Sequence, residues 1–157
     1  MHANEKIIRD FYQAFASRDA PAMARYYHAD ILFSDPVFPT LRGAEAGGMW
    51  AMLCKQAGPE LTITLVAANA DDQGGLAQWR AEYKFSKTGR PVVNNISAVF
   101  AFRDGLIIRH IDSFNFWTWA SQALGPLGKL LGWFPLLKML VRKNARKSLD
   151  AFMTRLA

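Results

Sequence analysis

The stretch Ile96–Trp117, ISAVFAFRDGLIIRHIDSFNFW, constrains this chain more than any other. Two runs rich in β-branched and aromatic residues flank Arg103-Asp104-Gly105, a short hairpin turn whose glycine accepts a positive φ. With Phe102 facing Leu106, Phe100 pairs with Ile108, Ala98 with His110 and Ile96 with Asp112. Side chains alternate along a strand, so the even-numbered residues of both runs share one face. That face is apolar except for His110 and Asp112. A carboxylate in such a place needs a partner or a hydrogen bond. Asp112 therefore marks either a structural pair with His110 or a pocket, and both readings are open.

The rest of the chain reads as helices first and strands after. Residues 4–17 carry the stripe Ile7, Ile8, Phe11, Tyr12 and Phe15 of an amphipathic helix, with Asn4 as its expected N-cap. Asp19 caps a short second helix to Tyr27, with Pro21 in its first turn. A brief strand, Ile31-Leu32-Phe33, runs into Ser34-Asp35-Pro36 and an irregular loop to Gly43. A third helix, Ala44 to Ala57, stops at Gly58-Pro59. Leu61, Ile63 and Leu65 alternate with threonines. In the next run Trp79, Ala81, Tyr83 and Phe85 share one face, and Gln78, Arg80, Glu82 and Lys84 the other. This order predicts an α+β fold with an antiparallel sheet.

Extending the register one strand further, with Ser86 facing Val92, sets Glu82 opposite Ile96 and Arg80 opposite Ala98. Two rows then cross the even face: Arg80, Ala98, His110 and Glu82, Ile96, Asp112. An acid, a base and an arginine around one concavity are what acid–base chemistry on a small molecule requires. The competing reading makes Arg80, Glu82 and Lys84 the solvated side of an amphipathic strand. Asp35 likewise either opens a turn before Pro36 or faces the pocket. Phe11, Phe15, Trp50, Ala98 and Phe100 are the candidate substrate-binding wall. Trp79, Tyr83, Phe85, Ile107, Ile111 and Trp117 form the opposite sheet face, an expected homodimer surface.

Charge matters only once it is located. The chain has 19 Lys and Arg against 13 Asp and Glu, a net +6. Residues 1–117 hold twelve of each sign, so the excess lies in residues 118–157, seven basic residues against Asp150. A nucleic-acid binder would be basic throughout, so no nucleic-acid partner is expected. From about Leu136 the tail reads as a helix with Leu137, Val141, Ala145, Leu149, Phe152 and Leu156 on one stripe and basic residues opposite. Such a helix covers its own domain, a partner subunit or a membrane surface; the first two are preferred. The single Cys54 excludes an intramolecular disulfide. With no signal segment and no long apolar run, a cytoplasmic protein is expected, without metal or cofactor.

The order of elements resembles the nuclear transport factor 2-like superfamily, with its SnoaL-like polyketide cyclases, ketosteroid isomerases and limonene epoxide hydrolases. IIRDFYQAFASRDAPAMARYYHADILFSDPVF is similar to the opening helices and D-P loop of that group, and FAFRDGLIIRHIDSFNF to its final hairpin. The resemblance implies a cone, a strongly curved antiparallel sheet wrapped around N-terminal helices (a cystatin-like α+β barrel), over residues 1–117, followed by a helical extension, 118–157. It implies an apolar small molecule in the concavity. By resemblance to the isomerases, Asp35 stands where a carboxylate shuttles a proton, while Phe11 and Ala98 replace the oxyanion donors. By resemblance to the hydrolases, Asp112 is the base, Glu82 the acid and Arg80 the bridge. By resemblance to the cyclases, Asp112 abstracts a proton. The fold kept without the chemistry would instead be a ligand-binding or dimeric assembly module.

Overall fold

A computed structural model describes residues 1–156; Ala157, the last residue of the expected extension, lies outside them. Three helices come first, α1 (Ala3–Ala16), α2 (Ala20–Arg25) and α3 (Ala44–Gln56). Strands β1 (Tyr27–Ser34) and β2 (Leu41–Arg42) separate α2 from α3. Then follow β3 (Thr62–Ala70), β4 (Gly75–Lys84), β5 (Pro91–Arg103) and β6 (Leu106–Ser113). Three more helices close the chain, α4 (Phe116–Ala123), α5 (Pro126–Leu131) and α6 (Pro135–Leu156).

Local capping differs from expectation at one end. His2, not Asn4, caps α1: its Nδ1 accepts from the Asn4 amide at 3.0 Å. The Asn4 side chain instead donates to the Asp71 carbonyl, tying the helix to the β3–β4 turn. Asp19 caps α2 by accepting from the Ala22 amide at 3.0 Å. That helix ends at Arg25 because Tyr27 already belongs to β1.

The strands form one curved, open sheet in the order β2-β1-β6-β5-β4-β3. It is antiparallel except where β1 lies parallel to β6, a pairing between strands some eighty residues apart that the expected all-antiparallel sheet omits. Register shifts in three of its strand pairs help it bend. The helix face Ile8, Phe11, Tyr12 and Phe15 fills the concavity, with Met49 and Trp50 of α3 beside it.

Two register corrections matter. The β5–β6 turn is the two-residue Asp104-Gly105, both with positive φ (53° and 73°), and a bulge follows at Phe102. Phe100 therefore faces His110 and Ala98 faces Asp112, two positions from expectation. A shift of two preserves the faces, so His110 and Asp112 stay inside. At β4–β5 the Phe85 amide donates to the Arg90 carbonyl, closing a shorter turn than the expected one. Trp79 then pairs with Ile96 and Ala77 with Ala98, a shift of three. An odd shift exchanges the faces of β4. Trp79 and Ala81 are buried against the helices; Arg80 and Glu82 point outward. Trp79 and Tyr83 consequently do not join an outer patch. Ile107, drawn in beside the bulge, is fully buried, and the exposed apolar residues on the outside of β4 and β5 are Leu76, Val93 and Val99.

The tail folds back on the domain. On α6, Leu149 and Phe152 are buried and Val141 and Ala145 half-buried, whereas Leu156, expected on the same stripe, is exposed. Arg146 pairs with Glu45 of α3, and Arg142 donates from Nε to the Pro36 carbonyl at 2.9 Å. Gly48 leaves room for Met153: a Cβ there would sit 2.1 Å from its sulfur.

Candidate functional site

The concavity retains a cavity of about 290 Å³. Phe15 and Trp50 stand on one side and Trp79, Ala81 and Tyr83 of β4 on the other, with Asn94 and Ile96 of β5 beside them. Asp112 closes the floor and Asp35 and Phe38 the rim. Val141, Asn144, Ala145 and Ser148 of α6 complete the wall, so the tail covers the pocket. The space is largely hydrocarbon and aromatic, with a few polar groups converging on it, the usual composition of a small-molecule site.

Asp112 is 4% exposed and belongs to a chain of hydrogen bonds. Trp50 Nε1 lies 2.8 Å from the Tyr27 hydroxyl, which lies 2.8 Å from His110 Nδ1; His110 Nε2 lies 2.9 Å from Asp112 Oδ1. The indole can only donate, so the Tyr27 hydroxyl accepts from Trp50. A carboxylate can only accept, so His110 Nε2 carries the proton given to Asp112, and in the neutral imidazole Nδ1 accepts from the Tyr27 hydroxyl. Trp79 Nε1 adds a longer contact to the same oxygen, 3.4 Å. His110, fully buried, is ringed by Phe11, Phe33 and Phe100, the last with centroids 4.4 Å apart.

Asp35 is held differently. Its Oδ1 accepts from the main-chain amides of Val37 and Phe38, at 2.7 and 2.6 Å. The turn-opening geometry and the pocket position, alternatives in the sequence, coexist. Burial raises its pKa to about 7, reinforced by the negative charge of Asp112; the amide bonds from Phe38 and Val37 and the charge of Arg142 oppose the rise. In both acids Oδ1 carries the hydrogen bonds, and among the described residues none donates to Oδ2.

The other sequence candidates divide. Phe15 and Trp50 line the cavity. Phe11, Ala98 and Phe100 lie beneath it, packed about His110 and Asp112 rather than open to the space. Arg80 and Glu82 are outside the cup, with Nε and Oε1 3.4 Å apart and side chains 39% and 45% exposed. The odd register shift removes them. Tyr12, buried against Trp79 and Phe100, leaves its hydroxyl without a hydrogen-bond partner. Sequence reasoning missed Tyr27 as a relay member, and Asn94 and the α6 wall as lining. Tyr83, four residues from Trp79 in a period-two run, had a readable signal, but it was assigned to the wrong face.

A family model described as "SnoaL-like domain" matches residues 8–110. No curated protein matches the chain. Among solved structures, the chain is similar to a Mycobacterium tuberculosis LEH-like epoxide hydrolase, with 17% identity and a TM-score of 0.66 over 82% of this chain and 95% of that one. It also resembles a hypothetical protein of ketosteroid isomerase-like fold from Catenulispora acidiphila in complex with trimethylamine, with 16% identity and a TM-score of 0.66 over 76% and 93%. A putative polyketide cyclase from Pseudomonas putida has 20% identity and a TM-score of 0.65 over 78% and 98%. At such identities the likeness is one of fold, and the family follows from the matched domain: the chain belongs to the SnoaL-like domain family.

Proposed function

We propose that the protein performs proton-transfer chemistry on an apolar small molecule, with Asp112 as general base and Asp35 as general acid, without a cofactor. The observation that carries this reading is two carboxyls on one apolar cavity, each with Oδ1 engaged and Oδ2 left to a ligand. Asp112 is oriented by His110 and takes a proton from substrate or from a water beside it. Asp35 keeps its proton to about pH 7. With Oδ1 occupied by two amides, that proton sits on Oδ2 and passes to the substrate oxygen that gains charge. Asp35 thus takes the acid's role that the resemblance to the hydrolases gave to Glu82. A structure named an LEH-like epoxide hydrolase and one named a putative polyketide cyclase share the fold, and those names guide the choice of test substrates. Self-association is proposed through the outer sheet face carrying Leu76, Val93 and Val99, and sedimentation tests it.

Turnover across a panel of apolar epoxides and enolisable ketones tests the assignment. D112N and D35N should each lose about a hundredfold or more, and R80A and E82Q should keep wild-type rates. Full activity in D112N, or its loss in E82Q, contradicts the proposal. No turnover by the wild type on any member would leave a pocket that only binds.

A further inference from the structure

The sequence places basic residues opposite the apolar stripe of α6, yet the exposed side of the tail is largely apolar. Leu127, Leu130, Trp133, Leu136, Met139 and Leu140 are 56–72% exposed, within fourteen consecutive residues. Trp133 stacks on the half-exposed Phe134 at the α5–α6 corner, with centroids 4.4 Å apart and ring planes 20° apart. A soluble surface rarely leaves so many large apolar side chains of one short segment uncovered without a use for them.

The helical spacing adds the charge. Leu136, Met139, Leu140, Lys143 and Lys147 fall at i, i+3, i+4, i+7 and i+11, one stripe on the side of α6 away from the buried Leu149 and Phe152. The stripe is apolar toward the Trp133 corner and cationic beyond it. Lys129 lies on α5 among the exposed leucines. Between Phe116 and Leu149 the sequence contains no acidic residue. Arg142 and Arg146 are already bound to the domain, but Lys143 and Lys147 are exposed.

We propose that this face of α5 and α6 docks on an anionic phospholipid surface. Trp133, Phe134 and the leucines enter the headgroup boundary, and Lys129, Lys143 and Lys147 meet the lipid phosphates. Among the described residues no helix is long and apolar enough to cross a membrane, so the contact is peripheral. Charge complementarity selects this occupant over a second copy of the chain, whose equivalent face would bring the same positive charges together. The inference does not depend on the chemistry proposed for the cavity.

Vesicle co-sedimentation of the full chain tests it, using phosphatidylcholine alone and phosphatidylcholine mixed with phosphatidylglycerol. The wild type should pellet with the anionic vesicles, release with added salt and remain soluble with the neutral ones. K143A/K147A should weaken partitioning on the order of tenfold or more. W133S/L136S should abolish it, with an unchanged circular dichroism spectrum, because both side chains are exposed. Failure to pellet with anionic vesicles, or equal pelleting with neutral ones, overturns the proposal. So does a dimer that L136D/L140D dissociates in the absence of vesicle binding, which would assign the face to a second copy.

Discussion

Asp35 and Asp112 look into the same cavity but are held by different parts of the chain. Asp35 sits on a loop and is fixed by two main-chain amides, which persist whatever side chains surround them. Asp112 sits in a strand and depends on three other side chains, His110, Tyr27 and Trp50, drawn from β6, β1 and α3. Local backbone geometry is a property of a few neighbouring residues. A relay of this kind exists only once the whole cup has closed. The difference teaches that one carboxyl is set by the turn and the other by the fold.

The strongest way to break this contrast is His110→Ala. It opens a cavity in the centre of the core and leaves the Tyr27 hydroxyl and Asp112 without their partner, so urea denaturation should show a loss of about 3 kcal/mol or more. No neighbouring side-chain change should disturb Asp35 comparably, since its partners are amides.

Next in size is the effect of pH on Asp35→Asn. The folded-state pKa of about 7 lies above the unfolded value near 3.8. Between those values the folded state binds more protons, so this group's contribution to stability falls as pH rises through the window and levels off above it. D35N cannot ionise. Its melting temperature should rise relative to wild type by several degrees more at pH 8 than at pH 4. An equal difference at both values would remove the buried acid from the account.

Tyr27→Phe should be milder, about 1–2 kcal/mol, because it orphans Trp50 Nε1 and His110 Nδ1 without opening much space. Smallest is Arg80→Ala, whose partly exposed contact with Glu82 on the outer face should be worth under about 0.5 kcal/mol.

The same contrast between local and closed structure explains what the sequence made legible. The α+β order, the Asp19 cap and the burial of His110 and Asp112 follow from short-range periodicity. The β5–β6 hairpin tolerated an unexpected bulge because a slip of two leaves His110 and Asp112 on their own face, although Ile107 beside the bulge turned inward. At β4–β5 one turn, a residue shorter than expected, produced a slip of three, and Arg80 and Glu82 left the site as Trp79, Ala81 and Tyr83 entered it. Turn length between two runs of good strand formers carries little sequence signal, since Lys87-Thr88-Gly89 accommodates either closure. The parallel pairing of β1 with β6 and the place on the domain that α6 covers were beyond reach for another reason. Both depend on contacts between distant segments that no local pattern records.

The claim that two acids share one apolar cavity is tested most directly by carboxyl-resolved NMR titration of Asp35, in the wild type and in D112N. The account predicts a wild-type midpoint near pH 7 and a lower one in D112N, because the charge of Asp112 helps raise it. A wild-type midpoint near 4, or one that D112N leaves unmoved, would contradict it.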